Sequence, residues 1–208
     1  QGPLLNLLNA RRLMYWQVYL HKTSLCAEAM LMQIIRRARD LSETGTLLPA
    51  SPGLAFFLQN KVSLADFTDN PTLLTTFTQL DDYDIWGALK AWAQHKDAVL
   101  STLCQRLLNR RLFKIQFLES PPNEEFLNSI REQLRTQGLA EERLSYFLTA
   151  GQTTNSAYVT GEDQIRVKMK NGQVVDIAEA SELPTIRALS KIVRKYYVCW
   201  AKTVSLPT

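Results

Sequence analysis

The amino-acid sequence predicts an α+β fold, with a mainly helical first half followed by a small antiparallel sheet with packed helices. Apolar residues recur at helical spacing over residues 4–41 and again over residues 82–109. After Arg110 the spacing changes to strict alternation over residues 112–118, which is typical of a half-buried strand. Residues 164–170 alternate in the same way, and Asn171-Gly172 then predicts a β-hairpin with a type I′ turn.

The same patterns place the remaining elements along the chain. Residues 4–41 form one long helix or two joined end to end, and Gly45 stands where a helix C-terminus favours glycine. The other predicted helices are residues 63–67, 70–77, 82–109, 123–137 and 185–193, and the other predicted strands are residues 145–149, 173–177 and 196–200. We therefore predict a helical region over residues 1–110 and an α+β sheet domain over residues 111–208.

Composition narrows the class of protein. The 208 residues are 46% apolar and 21% charged, which disfavours disorder. The 24 basic and 20 acidic side chains give a net charge of +4, a mild excess that by itself selects no partner. Three widely spaced cysteines indicate reduced thiols. No apolar run approaches the roughly 20 residues of a membrane span, so a soluble, cytoplasmic protein is expected.

The residues offer little chemistry for catalysis. The two histidines, His21 and His95, stand far apart, and no H-E-x-x-H or His-Asp pair is present. Three acidic residues at positions 81, 82 and 84 open a predicted helix, where capping and the helix dipole explain them. The sequence contains no G-x-S-x-G, P-loop or G-x-G-x-x-G motif. The chain alone is therefore predicted to be inactive and to hold no metal.

The stretch LMYWQVYLHKTS, residues 13–24, is the first candidate binding surface. On a helical wheel Arg11, Tyr15, Tyr19 and Lys22 lie on one side. Guanidinium and ammonium groups bind phosphate oxygens, and a phenol ring stacks on a sugar or base. Such a face fits a nucleoside triphosphate; the alternative is a solvated or subunit-facing amphipathic surface.

The stretch NRRLFK, residues 109–114, is the second candidate. Arg110 and Arg111 stand at a predicted helix-to-strand junction, and Lys114 follows three residues later. These side chains predict either an anion pocket or a solvated basic patch.

Residues 10–23, 80–85 and 109–114 resemble motifs of the HD-domain phosphohydrolases, especially bacterial proteins similar to dNTP (dGTP) triphosphohydrolases and, more distantly, the SAM- and HD-domain dNTPase. The resemblance continues to residues 195–199. It implies a longer protein in which an upstream helical HD core binds a divalent metal and cleaves a dNTP to a deoxynucleoside and triphosphate. Residues 1–110 would then continue that core. Because the HD ligands are absent and residue 1 is not Met, the chain is expected to be a C-terminal fragment without a cofactor of its own.

The resemblance also implies roles for six residues. Arg11 would contact the substrate triphosphate, and Tyr19 would pack against the substrate sugar and base. His21, Lys22, Arg110 and Lys114 would face an activating nucleotide, a dNTP or GTP, at a subunit interface. The family forms symmetric oligomers, so a homo-oligomer is expected, with exposed aromatics such as Trp16 and Trp92 at its interfaces.

Two other interpretations remain open at this point. A free-standing basic α+β module can bind nucleic acid through several phosphate contacts or bind a protein partner. A purely structural dimerisation domain is what remains if neither nucleotide nor nucleic acid binds.

Overall fold

The computed structural model describes residues 6–7, 10–11, 13–155, 166–169, 171–176, 193–204 and 206, and it confirms the α+β fold. A π-helix over Tyr15–Tyr19 precedes the α-helices. The α-helices of the described residues are α1 (Lys22–Glu43), α2 (Pro52–Gln59), α3 (Leu64–Asp69), α4 (Pro71–Thr78), α5 (Asp82–Trp92), α6 (Ala98–Leu108), α7 (Glu124–Arg135) and α8 (Glu141–Phe147).

The strands of the described residues form two sheets. They are β1 (Lys114–Leu118), β2 (Leu148–Asn155), β3 (Arg166–Lys168), β4 (Val174–Asp176) and β5 (Val193–Trp200). The order of the three-stranded sheet is β1-β5-β2, so the last strand of the chain lies at its centre. Strands β3 and β4 pair antiparallel as a separate hairpin. The predicted helix over residues 185–193 lies outside the described residues, apart from Val193, which begins β5.

The chain divides into two compact units, each assembled from several segments. The first unit contains residues 1–25, 115–124 and 150–198, and the second contains residues 26–114, 125–149 and 199–208. The division between residues 110 and 111, proposed from the sequence, stays a prediction. No described helix is both long enough and apolar enough to cross a membrane.

Of the two alternatives predicted for residues 4–41, one long helix or two joined end to end, the structure shows an interruption. In the π-helix the Leu20 N–H donates to the Tyr15 carbonyl at 2.7 Å, a reach of five residues instead of four. His21 is non-helical, and α1 begins at Lys22. A wheel with a uniform 100° step therefore does not extend from Arg11 to Lys22, and the predicted shared face loses its geometric basis.

The single helix predicted over residues 82–109 is wrong, because α5 ends at Trp92 and α6 begins at Ala98. Asp97 is the N-cap of α6, and its carboxylate accepts the Leu100 N–H at 2.8 Å. Arg37 on α1 donates to the same carboxylate at 2.6 Å and 3.1 Å. Arg37, on a helix far away in the sequence, thus stabilises the break between α5 and α6.

The predicted hairpin is confirmed, but its turn differs from the type I′ turn expected. The register pairs Lys168 with Val174, and Met169 N–H donates to the Gln173 carbonyl at 2.7 Å, which leaves a longer loop than two residues. Among the described residues of this loop only Gly172 has a positive φ, of 86°. One left-handed glycine after a turn is typical of a three-residue hairpin loop with a bulge.

The core of the second unit contains Trp92, contrary to the prediction that this side chain is exposed. Trp92 was expected among the exposed aromatics, but its side chain is 0% exposed and is among the largest fully buried residues of the described chain. Its indole N–H donates to the Pro49 carbonyl at 2.9 Å. The side chain of Trp16 lies outside the description, so its predicted exposure stays a prediction.

Candidate functional site

A basic segment joins α6 to β1 in the second unit. Residues 106–114 contain four cations and no acidic residue; we call Arg106, Arg110, Arg111 and Lys114 the basic junction. Helix α6 ends there with Arg110 N–H donating to the Leu107 carbonyl at 3.1 Å and Arg111 N–H donating to the Arg106 carbonyl at 2.8 Å. This pair of hydrogen bonds is the Schellman motif of helix C-termini.

The backbone of Arg110 is unusual within that motif. Its φ is 55°, and it is the one non-glycine residue with positive φ in the described part of the chain. The position normally selects glycine, because a Cβ in the left-handed region costs about 1–2 kcal/mol. Arg110 is exposed, so burial of its side chain does not offset this cost. Strain of this kind at an exposed charged residue points to a role for the side chain itself.

Arg106 belongs to the same basic junction, although the sequence did not single it out. Its Nη1 donates to the Thr203 carbonyl at 2.7 Å, and its guanidinium lies 5.7 Å from the centre of the Phe113 ring. Its Nε is buried with no hydrogen-bond partner among the described residues. Burial, followed by the charge of Arg111, lowers the pKa of Arg106. Positive charge is therefore concentrated at the junction.

Lys114 is held at the other end of the junction. Its ammonium lies 4.7 Å from the centre of the Trp200 ring, and tryptophan is the best aromatic partner for a cation. The Phe126 ring meets Trp200 edge to face at 6.2 Å and supports the indole. Lys114 itself remains exposed, so its ammonium is positioned but accessible to an anion.

A second group of cations lies in the first unit. The ammonium of Lys22, the first residue of α1, is 5.9 Å from the centre of the Phe117 ring on β1. The ammonium of Lys195 on β5 is 5.7 Å from the centre of the same ring. We call Lys22, Phe117 and Lys195 the lysine-phenylalanine cluster.

His21 forms hydrogen bonds that stabilise the start of α1. Its Nδ1 accepts the Thr23 N–H at 3.3 Å, and its carbonyl accepts the Leu25 N–H at 3.1 Å. The imidazole thus satisfies an amide that the helix leaves unpaired at its N-terminus. The ring is exposed, so its second nitrogen is accessible.

The structure describes the two residues predicted to contact the substrate, Arg11 and Tyr19, to different extents. The Arg11 guanidinium lies 5.7 Å from the centre of the Tyr15 ring, and Arg11 is exposed. The backbone of Tyr19 belongs to the π-helix, but the position of its side chain lies outside the description. The roles of both residues stay predictions.

The acidic cluster at the start of α5 is a capping box, as its sequence indicated. The Asp81 carboxylate accepts the Tyr83 N–H at 2.8 Å, and the Asp84 carboxylate accepts the Asp81 N–H at 2.9 Å. A hydrogen bond from Ser51, followed by the one from Asp81, lowers the pKa of Asp84. Among the described residues no group of three or more His, Cys, Asp or Glu side chains fits a metal ion.

The six predicted site residues thus belong to two separate groups. Arg11, Tyr19, His21 and Lys22 lie in the first unit, and Arg110 and Lys114 lie in the second. Within each group the structure adds partners that the sequence did not indicate. These are the Phe117 ring for Lys22 and the Trp200 ring for Lys114.

The solved structures include a relative that matches this chain over nearly its full length. A phosphohydrolase from Bacteroides thetaiotaomicron superposes with a TM-score of 0.81 at 44% sequence identity, over 94% of this chain and 49% of that protein. The chain is thus related to a phosphohydrolase. It spans about half the length of that relative, so the activity of the longer protein is not transferred by the similarity alone.

Curated relatives are longer as well. The uncharacterised protein YwfO of Bacillus subtilis is 30% identical over 84% of this chain and 39% of its own length. An uncharacterised protein of Mycoplasma genitalium is 25% identical over 86% of this chain and 41% of its own length. No protein-family model matches the chain.

Proposed function

We propose that this chain is the C-terminal part of a longer HD-type phosphohydrolase that acts on deoxynucleoside triphosphates. In this proposal it supplies phosphate and sugar contacts through Arg11 and Tyr19 and oligomer surface. It also supplies contacts to an effector nucleotide at a subunit interface, through His21 and Lys22 of the first unit and through Arg110 and Lys114 of the second unit. The observation that carries the proposal is the 44% identity to a phosphohydrolase over 94% of the chain.

No group of three or more His, Cys, Asp or Glu side chains in the described part of the chain fits a metal ion, and we place the metal of such an enzyme in the rest of the longer protein. The proposal therefore assigns hydrolysis to the rest of the longer protein and predicts that this chain alone cleaves no dNTP. What its own residues do is bind and orient phosphate groups. Positioning of this kind contributes to rate because the reacting groups are held in productive geometry.

Arg110 gives the sharpest test of the effector site. The substitution Arg110→Gly removes the guanidinium and also relieves the left-handed strain, so the free energy of unfolding should stay unchanged or rise by about 1 kcal/mol. Any rise in melting temperature caused by GTP or a dNTP should nevertheless disappear, because a ligand stabilises only the state that binds it. Thermal shift with and without each nucleotide measures both effects.

The control for that test is Arg143→Gln, which removes one exposed positive charge from α8 in the same unit. It should leave the nucleotide-dependent shift at the wild-type size. An unchanged shift in Arg110→Gly would remove Arg110 from the effector site. A shift lost equally in Arg143→Gln would indicate nonspecific attraction to net charge.

Arg11 gives the test of the substrate side, in the longer protein. The substitution Arg11→Ala should lower dNTP turnover about tenfold to a hundredfold, because a lost phosphate contact misplaces the reacting phosphoryl group. The melting temperature should change little, since Arg11 is exposed. Steady-state kinetics and a melting curve on the same sample are needed. Parallel losses of turnover and stability would make Arg11 a structural residue instead.

A further inference from the structure

The second unit contains a cavity of about 520 Å³ that is lined by residues within 51–56 and 70–80 and by Asp84. These residues belong to α2, α4, the start of α5 and the segments next to them. The volume lies within the roughly 300–1,000 Å³ of small-molecule sites in proteins. None of the lining residues takes part in the phosphate and sugar contacts of the proposed function.

The charge of the lining selects among ligands. Asp84 is its one charged side chain, and the described residues that form the cavity include no lysine, arginine or histidine. A hydrogen bond from Ser51, followed by one from the Asp81 N–H at 2.9 Å, lowers the pKa of Asp84, so it is a carboxylate at neutral pH. An anionic ligand would meet this negative charge without a cation that offsets it. The cavity therefore favours an uncharged ligand that donates hydrogen bonds to Asp84.

Two carboxamides in the lining supply donors. The Asn70 side-chain oxygen accepts the Thr72 and Leu73 N–H groups at 3.1 Å and 3.3 Å, which assigns the other end of the amide as NH₂. That NH₂ group has no hydrogen-bond partner in the part of the chain that the structure describes, and the same holds for the Gln79 side chain. A ligand carbonyl that accepts from these groups would satisfy them.

Phe56 supplies a flat apolar surface in the same lining. The residue is 40% exposed, and the Phe57 ring meets its ring edge to face with the centroids 5.3 Å apart, which supports its orientation. An accessible aromatic ring of this kind stacks on the face of a planar heterocycle.

We propose that this cavity binds an uncharged nucleoside whose base has a lactam edge, a ring N–H beside a ring C=O. In this arrangement Phe56 stacks on the base, Asp84 accepts the ring N–H, and the NH₂ groups of Asn70 and Gln79 donate to the C=O. Guanine, hypoxanthine and uracil have such an edge, whereas neutral adenine and cytosine do not. The inference goes beyond the proposed function and does not depend on it, because the two use different residues.

The test is calorimetric titration of this chain with inosine and with adenosine, which are both uncharged and differ at one edge of the base. Adenosine should bind at least about tenfold more weakly, because its unprotonated N1 would face the Asp84 carboxylate and its NH₂ group would face the amide donors. Inosine 5′-monophosphate should also bind more weakly than inosine, because its phosphate adds negative charge near Asp84.

Variants assign the effect to the cavity. Asp84→Asn keeps an oxygen for the Asp81 N–H but removes the ionised acceptor, so it should weaken inosine binding about tenfold. Asp82→Asn removes an exposed charge from the same turn of α5 but outside the cavity, and as the charge-matched control it should bind inosine as wild type does. Phe56→Leu keeps an apolar side chain but removes the ring, so it should weaken inosine and adenosine binding alike.

Each outcome supports or overturns the inference. Equal affinities for inosine and adenosine overturn it, as do wild-type affinity in Asp84→Asn, equal weakening in Asp82→Asn and absence of inosine binding to the wild-type chain. Inosine 5′-monophosphate that binds as tightly as inosine overturns the assignment of an uncharged ligand. If Asp84→Asn does not fold, Gln79→Ala at an exposed position decides, since it should weaken inosine binding about threefold to tenfold and wild-type affinity there overturns the inference. Arg110→Gly should leave inosine binding unchanged, so failure of the effector site and failure of this inference are distinguishable.

Discussion

Trp92→Ala should lower the free energy of unfolding by about 3–5 kcal/mol, the usual cost of removing a large buried aromatic side chain. Trp92 is 0% exposed in the core of the second unit. The substitution leaves a cavity that the surrounding helices fill only in part, and it also leaves the Pro49 carbonyl without the indole N–H that it accepts at 2.9 Å. Urea unfolding followed by circular dichroism measures the loss.

Two variants separate the causes of that loss. Trp92→Phe keeps most of the ring but removes the N–H donor, so we expect a smaller loss of about 1–2 kcal/mol. Trp86→Ala changes a tryptophan in the same helix that is 47% exposed, and it should cost much less. A loss of equal size for Trp86→Ala and Trp92→Ala would mean that helix α5 is not packed as described.

Trp92 also shows where reasoning from the sequence failed. Its helical spacing placed it on an apolar face, and the resemblance to an oligomeric family suggested that such a face meets another subunit. Spacing identifies an apolar face but does not say whether the covering surface comes from the same chain. Here the loop that contains Pro49, far away in the sequence, supplies the contact.

The elements that local rules determine were predicted well. The α+β class, strand β1 and the hairpin follow from periodicity, because alternation and helical spacing are properties of neighbouring residues. The turn type was wrong because Asn171-Gly172 fits more than one loop, and the pairing of Lys168 with Val174 selected the longer one. The sequence allowed a break within residues 4–41 but not its position at His21. It missed the break at Asp97, because the contact with Arg37 that stabilises this break is not visible in a periodic pattern.

Part of the candidate site could likewise be predicted from the sequence, and part of it could not. The basic residues of the junction are visible in the sequence as a run, but the left-handed backbone of Arg110 is not, because the position calls for glycine. Lys195 and Trp200 escaped notice because their contacts depend on which strand lies beside β1. That neighbour is β5, the last strand of the chain.

Among the ion pairs that the structure describes in the second unit, the one between Arg37 and Asp97 should contribute most to the free energy of unfolding. Its side chains are 22% and 17% exposed, and Arg37 donates two hydrogen bonds to the Asp97 carboxylate. Tyr146 lies against the same guanidinium at 5.2 Å. Arg37→Met keeps the aliphatic stem but leaves a half-buried carboxylate without its cation, so we expect a loss of about 2–4 kcal/mol.

Two comparisons test the assignment. In Asp97→Asn the side chain still caps α6 but carries no charge, so adding Arg37→Met to it should cost less than adding Arg37→Met to the wild type. Arg135→Met breaks an ion pair with Glu141 that lies in solvent, and its effect should be too small to resolve. Strictly additive losses for Arg37→Met and Asp97→Asn would show that the two groups do not interact energetically.

The same pair predicts how stability changes with pH. Burial tends to raise the pKa of Asp97, but the hydrogen bonds from Arg37 and Leu100 and the adjacent positive charge outweigh it, so the pKa lies below the ordinary value of 3.8. Because the unfolded chain then takes up the proton first, the contribution of Asp97 is complete above pH 3.8 and is lost as the pH falls through the lower folded pKa. The free energy of unfolding, measured by urea titration at a series of acidic pH values, should fall less steeply in Asp97→Asn than in the wild type. If both proteins lose stability with the same slope, the carboxylate is not held by Arg37, and the break between α5 and α6 needs another cause.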